Sequence, residues 1–161
     1  MDFLWTPWRY AYIAGLQHNT DEECVFCRLA RLPAEEEYVL SRGEHGYVVL
    51  NRFPYTSGHS MVVPYRHFAA FHEMRPEETL ELIASAQRLQ RAIQSAYSPE
   101  GFNIGWNQGK CAGAGVAGHL HLHLIPRWVG DSNLVSVMGE TRVLPEDLDT
   151  TFARLKAALN D

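Results

Sequence analysis

Residues 115–128, GVAGHLHLHLIPRW, place His119, His121 and His123 at every second position, with leucines between them. Along a β-strand, alternate side chains share one face and neighbours on that face sit roughly 6.6 Å apart. A helix would scatter the same three rings around its circumference. The spacing therefore predicts a half-buried strand, with Leu120, Leu122 and Leu124 toward a core and three imidazoles on the other face. Pro126 is expected to end regular pairing or confine it to an edge.

Imidazole on a strand face can do three things. It can act as nucleophile or base near neutral pH, ligate zinc, or line a solvated surface. The segment just before the histidines, QGKCAGAGVAG (108–118), is glycine-rich. Gly109, Gly113, Gly115 and Gly118 let backbone approach a ligand closely, and successive amides there could form an anion-binding nest. Many glycine loops are only turns. A glycine loop feeding straight into a histidine triad is a more specific signal, and it points to phosphoryl or nucleotidyl transfer. His121 is then the central group, with His119 and His123 beside it to stabilise charge.

The elements that must position these residues can be read from punctuation and periodicity. VFC and its flanks (24–33) read as a short helix stopped by Pro33. Segments 38–41 and 46–51 read as a hairpin, 60–64 as a short apolar strand and 101–107 as another strand. Residues 76–97 carry Leu82, Ile83, Ala86, Leu89, Ile93 and Ala96 at helical spacing, with a proline and three glutamates at the start. Residues 146–160 read as a terminal helix, and 129–146 give no clear pattern. Strands gathered around one long helix predict an α+β domain with a largely antiparallel sheet.

Composition sets the outer bounds. The chain's 161 residues suit a single domain, and 46% hydrophobic with 20% charged is an ordinary globular balance. A net charge of −5 argues against a nucleic-acid polyanion as the main partner, while leaving room for a small nucleotide. No apolar run is long enough to cross a membrane. The start, MDFLWTPWRYAYIAG, lacks the pattern of a secretory signal. With three cysteines, an odd number, this leads us to expect a reducing, cytoplasmic setting. Residues 1–20 are rich in aromatics, including Trp5, Trp8, Tyr10 and Tyr12, which suits packing on the domain, a second subunit or a ligand.

Two blocks carry a resemblance. HLHLHLI resembles the signature of the histidine-triad (HIT) superfamily. NRFPYTSGHSMVVPYRH (51–67) is similar to that superfamily's upstream block, and the blocks fall in the family's order with a helix between them. The N-terminal LWTPWRYAYI, the run 101–123, and PRWVGDSN followed by GETRVLPE resemble the dinucleoside-tetraphosphate phosphorylase (ATP adenylyltransferase-like) branch.

The resemblance implies a HIT-like fold and a two-step reaction. His121 attacks the α-phosphorus of a dinucleoside polyphosphate such as diadenosine tetraphosphate, a 5′-adenylyl-histidine forms, and inorganic phosphate or water releases the nucleotide. The His119 carbonyl fixes the nucleophile's tautomer, and His123 contacts the α-phosphate and leaving group. Asn51 falls where the family contacts ribose, His59 near the phosphates, and Asn107 beside the glycine loop. Without the family, Asn51 reads equally as a turn residue and His59 as a packed imidazole. HIT hydrolases commonly carry Gln-Ser or Gln-Thr before the first histidine; here AGAGVAG offers no polar side chain, which favours a site open to a phosphate acceptor.

The Cys24-x-x-Cys27 pair could mean redox chemistry, metal, or two small buried hydrophobes, and no thioredoxin-like pattern surrounds it. The resemblance implies that Cys24, Cys27, His67 and His119 hold a structural zinc, which would pin the N-terminal segment to the back of the catalytic strand. It also implies a homodimer. A plain HIT hydrolase, and a non-catalytic nucleotide-binding module, are the competing readings.

Overall fold

A computed structural model describes residues 23–33, 37–131 and 145–160. The aromatic segment 1–20 and most of 129–146 lie outside the described residues.

The elements run α1 (Val25–Leu29), β1 (Val39–Arg42), β2 (Gly46–Leu50), β3 (Ser60–Pro64), α2 (Pro76–Tyr97), β4 (Gly101–Trp106), β5 (Leu122–Arg127) and α3 (Leu148–Asn160). The strands form one sheet in the order β1-β2-β3-β5-β4, with every neighbouring pair antiparallel. The α+β class read from the sequence is what the fold shows. Among the described residues, no helix is long and apolar enough to cross a membrane.

Alternation along the strands sorts the side chains into two layers. Val48, Leu50, Val62, Leu122 and Leu124 join Leu82, Ala86, Leu89 and Ile93 of α2, and Leu155 of α3, in one core. At about 25 cal/mol per Å² of apolar surface removed from water, this layer is the main source of stability. Its closest approach is at Gly46, where an added Cβ would lie 2.6 Å from both the Val63 carbonyl oxygen and a Leu82 methyl.

The other face carries Val39, Tyr47, Val49, Met61 and Val63, packed by Phe26 and Leu29 of α1. Five residues are too few for a helix to hold itself. Here α1 is fixed from outside. The Arg42 guanidinium donates to the carbonyls of Leu29 (3.0 Å), Ala30 (2.8 Å) and Leu32 (2.7 Å), satisfying the exposed helix end. Tyr47 Oη donates to the Phe26 carbonyl at 2.7 Å. The helix expected over 24–33 is thus limited to 25–29.

The start of α2 is closed by an acid. Glu78 accepts from the Arg75 backbone N–H at 2.8 Å and from two Arg66 nitrogens at 2.8 Å each. The Arg66 guanidinium holds its carboxyl down at about 2.

Candidate active site and metal centre

The histidine strand differs from expectation in where it begins. β5 starts at Leu122, so His119 and His121 precede the ladder. The cause lies in β3, which ends at Pro64. The Leu120 N–H donates to the Phe68 carbonyl at 2.7 Å, and His119 Nε2 bonds the Pro64 carbonyl at 3.0 Å. The segment 119–121 therefore hydrogen-bonds to the turn beyond β3 rather than to a strand. Its side chains still alternate: Leu122 and Leu124 enter the helix-side core, and the imidazoles share the α1 side.

Pro126 does not end β5, which runs on to Arg127 and pairs with β4, Phe102 opposite Pro126. Pairing with β3 has already stopped at Leu124. The Pro126 carbonyl instead takes the Thr56 hydroxyl at 2.9 Å, so the missing N–H falls where no strand needs it.

His121 is buried, with its Nδ1 2.8 Å from the His119 carbonyl oxygen. A carbonyl only accepts, so Nδ1 carries the proton and Nε2 holds the lone pair. Burial lowers the His121 pKa and keeps the ring neutral. Phe26 packs against it at 4.7 Å between ring centroids, and the His123 ring lies at 4.8 Å. His123 is pushed down to about 4, first by burial and then by His121.

His123 is opposite Gly105 in the β4–β5 register and borders a cleft of about 210 Å³. Tyr55, Asn103, Gly105, Trp106 and Asn107 also line it. Of these, only Asn107 was singled out from sequence. The alternation Asn103, Gly105, Asn107 opposite the triad strand was the available signal. A Cβ at Gly105 would meet nothing within 4 Å, so the cleft is open directly beside His123.

His59 and Asn51 are less exposed to a ligand than the family comparison implied. His59 is 1% exposed. Its Nδ1 accepts from the Tyr55 backbone N–H at 3.1 Å, and its Nε2 lies 2.9 Å from His123 Nδ1. Asn51 Oδ1 accepts from the Phe53 N–H at 2.9 Å, which makes it a turn residue, and its amide nitrogen lies 3.3 Å from His59 Nε2. In the glycine loop, Gly109 and Gly113 adopt left-handed φ of +82° and +87° around a single 3₁₀ turn. The amides of Ala112, Gly113 and Ala114 bond carbonyls of that same turn. Among the described residues the amides of 115–118, Gly115 included, have no such partner, so the amides left available to a ligand fall in the second half of the loop.

The four sequence-selected metal ligands come together. One ligand atom each from Cys24, Cys27, His67 and His119 lie within 4.8 Å of one another. His119 Nδ1 is 3.5 Å from Cys24 Sγ and 3.6 Å from Cys27 Sγ, and Cys27 Sγ is 3.3 Å from His67 Nδ1. His119 Nε2 donates to Pro64, so Nδ1 faces the thiols with its lone pair. That is the outer-sphere arrangement that prepares a histidine to ligate. Burial and the neighbouring Cys24 raise the Cys27 thiol, a cost that a bound cation offsets. Two thiolates and two imidazoles fit tetrahedral zinc. The cluster does not lie behind the catalytic strand as expected. Phe26 touches both His119 and His121, so cluster and triad share one face, end to end.

Residues 34–129 match the model of the HIT domain. The chain is 40% identical over 154 residues to an AP-4-A phosphorylase of Mycobacterium tuberculosis, covering 92% of this chain and 79% of that protein. It is similar to a zinc-bound histidine triad family protein from Mycobacterium smegmatis, with TM-score 0.69 and 30% identity over 86% of this chain and 94% of that one. A hypothetical histidine triad nucleotide-binding protein from Sulfolobus tokodaii gives TM-score 0.68 at 26% identity, over 85% and 92% of the two chains.

Proposed function

The chain belongs to the histidine-triad (HIT) family, and from that premise we propose that it is a nucleotidyltransferase that phosphorolyses dinucleoside polyphosphates, diadenosine tetraphosphate among them, to ADP and ATP. The observation that carries this is the His121 Nδ1 contact with the His119 carbonyl, which leaves a neutral Nε2 as nucleophile on a ring 4.8 Å from that of His123, the triad residue that lines the open cleft.

His121 Nε2 attacks the α-phosphorus, a nitrogen–phosphorus bond forms, and the bond to the polyphosphate oxygen breaks. The adenylylated ring keeps its Nδ1 proton and becomes cationic, and the His119 carbonyl stabilises that charge. Phosphate then attacks the same phosphorus, and His121 leaves as the neutral imidazole. The free amides of 115–118 cradle the α-phosphate. Gly109 and Gly113 shape this loop, while Asn107 borders the cleft beside it. Asn51 and His59 contribute from the turn behind, His59 through its contact with His123 and Asn51 through its contact with His59. The 40% identity to a protein named AP-4-A phosphorylase supports phosphate as the acceptor, as does a loop without polar side chains ahead of His119.

Zinc bound by Cys24, Cys27, His67 and His119 would be structural, tying α1 to the triad segment; their convergence, and a zinc-bound relative, support it. A homodimer fits β4, an edge strand with Ile104 half exposed, next to the exposed Phe71. All three cysteines are free thiols, in keeping with a cytoplasmic setting.

The test is product analysis with diadenosine tetraphosphate, with and without inorganic phosphate. ADP and ATP formed only with phosphate are expected. AMP and ATP regardless of phosphate would make the protein a hydrolase, and no turnover at all would leave a nucleotide-binding module.

A further inference from the structure

The proton arrangement around His123 is dictated from outside the triad. The Tyr55 backbone N–H can only donate, so His59 Nδ1, 3.1 Å away, must accept. A neutral imidazole carries one proton, which therefore sits on His59 Nε2. That nitrogen lies 2.9 Å from His123 Nδ1 and 3.3 Å from the Asn51 amide nitrogen. The Asn51 amide is a donor, because its oxygen is already taken by the Phe53 N–H. His123 Nδ1, at 2.9 Å the nearer of these two nitrogens, receives the His59 proton.

We propose that His59 is a positioning residue that holds His123 in its Nε2–H tautomer, and so presents a hydrogen-bond donor to the departing oxygen in the cleft that His123 lines. The structure thus contains two orienting contacts of opposite sense. The His119 carbonyl draws the proton of His121 onto Nδ1 and makes Nε2 a nucleophile. His59 fills Nδ1 of His123 and makes its Nε2 a donor. No proton is transferred in this role: the leaving phosphate departs as an anion hydrogen-bonded to His123, and His59 keeps its proton throughout. Two rings of the same type, two residues apart, acquire different chemistry from one acceptor and one donor.

The catalytic part of this inference rests on the nucleotidyltransferase reading, whereas the tautomer does not. Nitrogen-15 NMR of the imidazoles in the full-length protein at pH 7.5 reads the tautomer directly. His123 is expected with its proton on Nε2, and in His59→Glu, whose carboxylate accepts, the proton should move to Nδ1. A wild-type His123 protonated on Nδ1 overturns the proposal without recourse to any variant. The kinetic arm compares diadenosine tetraphosphate with the 4-nitrophenyl ester of AMP, whose phenolate leaves without help. His59→Ala should slow the first on the order of 10²-fold, as expected for one lost charge-stabilising donor. It should slow the second by much less, and His59→Gln, which restores a donor, should recover most of the difference. Equal losses on both substrates would show that His59 is merely structural. If neither substrate turns over, the functional reading fails while the NMR result still decides the tautomer.

Discussion

The two faces of the sheet are built on opposite principles. Toward α2 and α3, leucines and valines interlock, and each is held by many interchangeable contacts. Toward α1, a smaller apolar cluster adjoins His123 of β5 and His119 of the segment leading into it, and buried polar groups there have one or two specific partners apiece. The first arrangement is stable because no contact is unique. The second can do chemistry because each contact is, so proton positions are fixed by single carbonyls and amides. Function and stability are thus largely assigned to different sides of one ladder, and substitutions should separate them.

The largest expected effect is on the histidine face. His121→Ala removes the nucleophile and should cut turnover of diadenosine tetraphosphate by roughly 10⁴- to 10⁶-fold, as when a covalent nucleophile is lost elsewhere. Its melting temperature should fall less than that of a core truncation. Retention of turnover would defeat His121 as the nucleophile. The mirror experiment is Leu89→Ala on the other face, where the side chain is 0% exposed. It should cost about 2–5 kcal/mol in denaturant unfolding, while the folded fraction keeps its rate at 25 °C. A drop in rate per folded molecule would show that the two faces are coupled.

How far the sequence disclosed this division depends on what each pattern reports. The bounds of β3 and α2 were legible because proline marks an end of each: Pro64 closes the strand, and Pro76 opens the helix. The convergence of Cys24, Cys27, His67 and His119 was legible from residue types at family spacing. The start of β5 was not. Alternation reports which face a side chain takes, not whether the backbone is in a ladder, and 119–121 alternates while bonded to the turn at 64–68. Phe26, Tyr55, Asn103 and Gly105 were missed for a related reason. They reach the site through cross-strand register and helix docking, which no local window contains. His59 read as a phosphate contact because it sits in a family motif; its pairing with His123 spans 64 residues of chain.

The metal cluster sharpens the comparison at intermediate size. Cys27→Ser should reduce bound zinc from one per chain to well below it, measured by elemental analysis. If zinc is held about 100-fold above its dissociation constant, its loss should cost about 2.7 kcal/mol. A stability unaffected by chelation would mean that Arg42 and Tyr47 alone secure α1.

The smallest expected effect is a difference in how the two faces respond to acid. His123 is held near 4 in the folded chain against 6.5 for the free side chain. Between those values the unfolded chain binds a proton that the folded one refuses, so stability falls as pH drops from 6.5 to about 4. Glu78, at the start of α2, is held near 2 against 4.5. There too the unfolded chain takes the proton first, and the stabilisation is lost as pH falls from 4.5 to about 2. Acid should therefore weaken the histidine face before it reaches the clasp on α2. Denaturant midpoints at half-unit steps of pH test this with two variants. His123→Gln should reduce the slope between pH 6.5 and 4, with buried His119, also held near 4, keeping its own share, and leave the lower range alone, whereas Glu78→Gln should reduce only the slope below 4.5. Matching slopes in both variants across both windows would mean that the acid response belongs to the molecule as a whole, and that the two faces are not separately titrated.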